Sequence, residues 1–257
     1  MEISNHLNKA FRILRRNYSC PGADGLSYKA IKSNFSQHRN SLEFSLRNKT
    51  FRFTEPRKCL VSTGVITPKV RAVFVYNIYD RWIQEAIRIE LNHLLHNIMH
   101  LHVYSYIRGK NRRQAFEYIL KCNPKYILIL DLKDYAGSIR VPKLFSMLEH
   151  ANIPSDLIGM IHDSIKHSEK GLPKGNSITS VLSNFYLTPL DNLFPKNYCR
   201  FSDDLVFALE HKSQLTEIMK IVKPIFDELE LELNEEKIKC IENTGALEII
   251  NEYPWII

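Results

Sequence analysis

The 257-residue sequence predicts an α+β chain whose second half is a ferredoxin-like β-α-β-β-α-β sheet with helices on one face. Two observations carry that reading. A buried apolar run, Tyr126–Leu130, is followed by helical patterns, and two short apolar runs, Tyr198–Phe201 and Leu205–Leu209, are parted only by Ser202-Asp203-Asp204.

In chain order, the first 60 residues read as two or three short helices broken at Pro21-Gly22-Ala23-Asp24-Gly25, with Ser27 placed as the next N-cap. Asn77 is placed to cap a helix from Ile78 to about Ile98, with apolar positions at helical spacing and a polar face of Asp80, Arg81, Gln84, Glu85 and Arg88. His93, His96, His100 and His102 near its end have no carboxylate or cysteine among them, so no metal site is expected there. Pro142 starts a helix to about Ala151, Pro154 starts another, and Thr179 to Leu193 has helical spacing. The hairpin follows, then a helix from about Gln214 to Leu231 and a last strand near Ile238 to Ile241.

Hydrophobic residues at 44% and charged residues at 25% match a soluble globular protein and exclude a disordered chain. No apolar run approaches the ~20 residues of a membrane span, and Arg12, Arg15 and Arg16 stand where a signal peptide needs apolar residues, so a cytoplasmic protein is expected. The five cysteines form no C-x-x-C pair, which predicts reduced, mostly buried thiols. The net charge of +7 points to an anionic partner. Cations interleave with aromatics at Arg47–Phe53 and at Tyr104–Arg113, the combination that joins phosphate contact to base stacking, so nucleic acid is the expected partner.

The chemistry gathers at acids. Asp131 ends the first strand of the sheet, and Asp203 and Asp204 sit at the tip of the hairpin expected to pair beside it. Crowded carboxylates repel and raise one another's pKa unless a cation neutralises them. Hard, partly open oxygen ligands suit Mg²⁺. Two such ions about 4 Å apart activate an attacking 3′-hydroxyl and stabilise leaving pyrophosphate.

At this point the residues resemble the reverse transcriptases over most of the chain. Phe201-Ser202-Asp203-Asp204 resembles the family's aromatic-x-Asp-Asp box, and Asp131-Leu-Lys-Asp-Tyr-Ala-Gly-Ser-Ile139 its first catalytic motif. Gly171-Leu-Pro-Lys-Gly175, continuing through Ser180–Asn184 to Leu190-Asp191, is similar to the segment that positions template and nucleotide. Leu229–Lys237 is similar to the motif whose lysine protonates pyrophosphate. Gly22–Gly25, Arg71, Asp80–Gln84 and Tyr104–Gly109 look like landmarks of bacterial group II intron and retron-type enzymes.

The resemblance implies a right-hand polymerase: fingers over 1–100 and 139–175, palm over 101–138 and 176–257. It implies an RNA-directed DNA polymerase using two Mg²⁺ ions and dNTP substrates, with an RNA template or structured RNA and a DNA product as partners. Asp131, Asp203 and Asp204 would be the catalytic and metal-binding acids, and Lys237 either the proton donor or a surface ion pair. Arg71, with Lys69, would clamp the triphosphate or be a solvated charge on a strand edge, while Lys174 and Gly175 would meet template or nucleotide. Ala136 falls where the family commonly carries Phe or Tyr against a ribonucleotide's 2′-hydroxyl; the alternative is that Tyr135 fills in, although adjacent strand residues point to opposite faces.

There are departures. Lys174 stands where Gln is usual, Thr179-Ser180 where Ser-Pro is usual, and Val65 where a lysine is expected, leaving Lys69 or Lys58 as its substitute. Twenty residues follow Lys237, so a thumb is expected to be absent or much reduced, with a partner protein or self-association replacing it. That shape looks like the antiphage-defence reverse transcriptases. A non-catalytic nucleic-acid-binding subunit is the alternative, and a metal-dependent nuclease is a third reading that leaves Arg71 and the Gly171–Asn184 segment without a task.

Overall fold

The computed structural model describes residues 3–17, 20–63 and 69–243. Three helices, α1 (Ile3–Leu14), α2 (Tyr28–Ser33) and α3 (Phe35–Arg47), precede strands β1 (Arg57–Thr63) and β2 (Lys69–Val75). Helices α4 (Ile78–Leu94) and α5 (Arg112–Lys121) lead into β3 (Tyr126–Leu130). The one-turn α6 (Tyr135–Ser138) is followed by α7 (Val141–His150), α8 (Ser155–Ile165), α9 (Thr179–Tyr186) and α10 (Thr188–Asp191). Strands β4 (Tyr198–Phe201) and β5 (Asp204–Leu209), helix α11 (Gln214–Leu229) and strand β6 (Lys239–Glu242) complete the described chain. The expected tail over Gly245–Ile257, the Val65 position and the Lys69 side chain lie outside the described residues.

The chain divides into two units, Met1–His96 with Leu144–Leu182, and Asn97–Lys143 with Ser183–Ile257. In the first, α1 packs on α4 around Trp82, which is fully buried and donates from Nε1 to the Leu7 carbonyl at 2.7 Å. Phe11 stacks on Tyr28 at 4.5 Å and tilts against Trp82 at 4.6 Å, so one aromatic ring joins α1, α2 and α4. Strands β1 and β2 pair antiparallel, with Val61 opposite Arg71.

The second unit holds a four-stranded antiparallel sheet in the order β4-β5-β3-β6, which is the split arrangement the element order predicts. Register sets the faces: Ile127 and Ile129, with Cys199, Val206, Ala208 and Ile241, face Ala115, Phe116 and Ile119 of α5. Tyr198 and Phe207 face the other way, where Phe194 packs on both rings and Tyr186 of α9 reaches the Leu229 carbonyl of α11 at 2.8 Å. The helices of the β-α-β-β-α-β order thus share one face, and α5, which precedes that order, covers the second. Among the described residues no helix is long and apolar enough to cross a membrane.

Several sequence expectations change. Helix α4 stops at Leu94 rather than near Ile98, and its supposedly polar face buries Asp80 and Gln84 at 2% and 1% exposure. Asp80 accepts bonds from the Thr54 amide and hydroxyl, and burial raises its pKa. Ser27 and Asn77 hold the N-cap positions without a side-chain bond to the helix; Asn77 donates to the Thr54 hydroxyl instead. The Thr179–Leu193 helix is interrupted at Leu187, dividing it into α9 and α10. Of the five thiols only Cys199 is buried, because α5 covers its strand, while Cys20 lies in a loop, Cys122 caps the end of α5, and Cys59 and Cys240 lie on the two-stranded ribbon and the edge strand β6.

Candidate functional site

Asp131 follows β3 directly. The ladder pairs Leu130 with Leu205, and one step further the same register sets Asp131 opposite Asp204, the first residue of β5. Between β4 and β5 the turn is Ser202-Asp203, closed by the Phe201–Asp204 pair, with Ser202 in the left-handed region at φ 61°. A two-residue turn in a twisted ladder demands positive φ, and serine supplies it here without glycine. Strand end and turn therefore bring Asp131, Asp203 and Asp204 into one electrostatic group.

Each strand acid holds a basic side chain. Asp131, 8% exposed, accepts from Lys237 Nζ at 2.8 Å and from Asn234 Nδ2 at 3.2 Å. Its carbonyl accepts from the Asn234 amide at 2.8 Å, which pins the segment after α11 to the end of β3. Asp204 faces Arg112 Nη2 at 3.3 Å, and the Arg112 guanidinium lies 4.7 Å over the Phe201 ring. Even so, the Asp204 carboxyl is pushed up to about 6, first by burial and then by the negative charge of Asp203, with Arg112 pulling it back and Asp131 adding to the rise. The group is short of positive charge. Among the described residues no three His, Cys, Asp or Glu side chains form a ready metal cage. An acid cluster short of positive charge fits Mg²⁺, which uses one or two carboxylates and completes its shell with water and substrate phosphate.

Beneath the turn, Arg200 is fully buried in a bidentate pair with Asp191, with Nε to Oδ1 at 2.9 Å and Nη2 to Oδ2 at 2.7 Å. The arginine also donates to the side chain and carbonyl of Asn184 and, at 3.0 Å, to the Ser202 carbonyl.

A family model for reverse transcriptase (RNA-dependent DNA polymerase) matches residues 57–248. The chain belongs to the reverse transcriptase family. No curated protein matches it. Its fold is similar to apo telomerase from Candida tropicalis, with a TM-score of 0.56 at 12% identity, over 82% of this chain and 49% of that one. It is also similar to telomerase from Candida albicans in complex with a TWJ fragment of telomeric RNA, with a TM-score of 0.53 at 11% identity, over 86% and 47%. The chain spans about half the length of these structures. At such identities the likeness is one of fold, fingers and palm, and the four-stranded sheet corresponds to the palm of that fold.

The remaining residues of the family resemblance are distributed as follows. Arg71 is exposed on β2 of the first unit, and Lys69 opens the same strand. Lys174 and Gly175 lie against β2: the Phe74 amide donates to the Lys174 carbonyl at 2.8 Å, and a Cβ on Gly175, at φ +102°, would stand 2.2 Å from the Phe74 carbonyl oxygen. The close approach that requires this glycine is thus to the protein's own backbone.

Ala136 is half-buried on α6. The strand alternation assumed for Tyr135 and Ala136 does not hold, because Asp134 turns left-handed at φ 36° and the chain enters a helical turn. Tyr135 is buried and donates its hydroxyl to the Ser183 carbonyl, so its ring is committed to the interior.

Sequence reasoning missed Arg112 and Asn234, the partners of two of the acids. Arg112 stood inside a basic stretch read only as a nucleic-acid contact; the signal for its helix is the Asn111–Gln114 capping box, in which both reciprocal bonds form.

Proposed function

We propose that this chain is an RNA-directed DNA polymerase that adds deoxynucleotides to a 3′ end on an RNA template. The observation that carries the reading is the juxtaposition of the strand-end Asp131 with the turn acids Asp203 and Asp204, in a group short of positive charge. Asp131 and Asp203, with Asp204 assisting, would hold two Mg²⁺ ions, which when bound supply the charge that lowers the barrier to in-line phosphoryl transfer.

The chain's own residues do the rest. Lys237, already bonded to Asp131, carries a proton to within reach of the leaving pyrophosphate. Arg71 offers an exposed planar fork to the triphosphate, with Lys69 on the same strand. Lys174 offers a cation to the template backbone. Ala136 leaves space at the nucleotide sugar. The RNA template and DNA product are the partners, with Arg108, Lys110 and Arg113 as phosphate contacts; bacterial antiviral defence is the biological setting that the family resemblance suggests.

The test is incubation of the purified protein with a labelled primer on an RNA template, in Mg²⁺, with and without dNTPs. Extension that needs both Mg²⁺ and dNTPs is expected. Shortening of the primer without dNTPs would favour a nuclease, and unchanged primer would favour a non-catalytic nucleic-acid-binding subunit.

A further inference from the structure

The reading of Asp203 and Asp204 as reactive acids leaves open what holds a two-residue turn, strained at Ser202, in one conformation. Positive φ at a non-glycine residue persists only where its surroundings over-determine it. Here the Phe201–Asp204 pair closes the turn from the ladder side and one buried side chain reaches into it. Arg200 has five N–H donors, and all five are satisfied: two by Asp191, two by Asn184 and one by the Ser202 carbonyl. Four donors anchor the guanidinium to α9 and α10, and the fifth reaches into the turn.

The anchor is itself anchored. Asp191 Oδ1 also accepts from the Tyr198 hydroxyl at 2.6 Å. Asn184 accepts from Ser105 Oγ at 2.9 Å and donates to the Ser105 carbonyl at 2.7 Å. Neither Arg200 nor Asp191 is exposed at all, so no water loosens the arrangement. Buried ion pairs are weak evidence for stability, since apolar residues often serve as well. What apolar residues cannot do is present a rigid N–H to a turn carbonyl two residues along the chain.

We infer that Arg200 is a positioning residue: through the Ser202 carbonyl, and braced by Asp191 and Asn184, it fixes the turn that carries Asp203 and Asp204. This rests on the proposed role of those acids. Lysine at 200 keeps the charge beside Asp191 but has three donors and no fork, so it cannot span Asp191, Asn184 and Ser202 together.

Two variants of graded severity test it, Arg200→Lys and Asp191→Asn, each read by hydrogen exchange and by primer extension. Both are expected to fold, with amide exchange at Ser202 and Asp203 faster than in the wild type while exchange in β3 and over Leu205–Leu209 of β5 is unchanged. Turnover is expected to fall about tenfold or more with the dNTP KM little altered, and more Mg²⁺ is needed for half-maximal rate. If exchange at the turn stays at the wild-type level, or rises only in step with the sheet, Arg200 is a core ion pair and the inference falls. Should wild-type protein extend no primer, the proposed function fails, and exchange at the turn still decides whether Arg200 holds it. If Arg200→Lys does not fold, the same exchange comparison in Asp191→Asn decides.

Discussion

Lys237 Nζ donates to Asp131 Oδ2 at 2.8 Å, joining residues 106 positions apart. The lysine side chain is 52% exposed while the aspartate's is 11% exposed, so the cation reaches from solvent to a nearly covered acid. As a half-exposed ion pair it contributes about 0.2–1 kcal/mol to stability. As a proton donor it contributes far more to rate, typically about a hundredfold or more. Lys237→Gln is therefore expected to leave the melting temperature within a few degrees of wild type and to slow single-turnover nucleotide incorporation by about a hundredfold. A variant that melts lower and incorporates at the wild-type rate would reduce Lys237 to a surface ion pair.

Asp203→Asn should abolish primer extension and leave the fold intact. Asp203 is half-buried in the turn and asparagine is nearly isosteric with it, so the substitution makes no cavity, and its charge is the second cause of the raised Asp204 pKa. Removing it relieves repulsion in the metal-free protein. The expected outcome is an unchanged or higher melting temperature together with lost activity. Full activity at ordinary Mg²⁺ would remove Asp203 from the site.

Asp204 makes metal-free stability depend on pH. Its folded value of about 6 lies above the roughly 3.9 of an unfolded chain, so between those values the native state holds more protons than the unfolded state. Stability then falls as pH rises through that window, and the full cost, of order 2 kcal/mol, is present above about pH 6. Asp204→Asn is expected to melt higher than wild type in EDTA at pH 7.5 and no higher at pH 4. An equal gain at both pH values would show that burial of the group, and not its charge, sets the difference.

Gly175→Ala separates two uses of one residue. The added Cβ would meet the Phe74 carbonyl oxygen, and the left-handed backbone at φ +102° adds strain of about 1–3 kcal/mol. A melting temperature lower by several degrees is expected. Loss of activity at an unchanged melting temperature would instead assign Gly175 to direct nucleotide contact.

The palm was legible because its signals are local and agree: β runs of four to six residues, a turn too short to be anything but a hairpin tip, and helices opened by prolines at residues 142 and 154. Asp131 and Asp203-Asp204 could be joined on paper because antiparallel register is arithmetic. Strands β1 and β2 were less legible: Arg57, Lys58, Lys69 and Arg71 interrupt their apolar pattern, and on a two-stranded ribbon with no fully buried residue among the described side chains charges obey no alternation. The roles of Arg112 and Asn234 depend on which long-range partner each side chain meets, which no local pattern encodes. The burial of Asp80 and Gln84 escaped for the same reason, since helix periodicity marks the apolar stripe but not how wide a face its neighbours cover.

On the proposed function, sugar selection turns on Ala136 and its neighbour. In the family the corresponding position commonly carries an aromatic ring that excludes a ribonucleotide's 2′-hydroxyl, and alanine has no ring to offer. Tyr135 does not substitute: it is 4% exposed and its hydroxyl bonds the Ser183 carbonyl, so swinging out would forfeit a buried hydrogen bond and expose the ring. Its neighbour Ala136 is half-buried on a helical turn. Without the ring, discrimination against ribonucleotides loses a steric contribution of about 1–3 kcal/mol, roughly ten- to a hundredfold in relative rate. Ala136→Phe is therefore expected to raise the dNTP-to-rNTP ratio of kcat/KM by about that factor, mainly by slowing rNTP incorporation. The measurement is single-nucleotide extension with matched dNTP and rNTP by both proteins. A strong wild-type preference for dNTP that Ala136→Phe leaves unchanged would show that another group closes the sugar site.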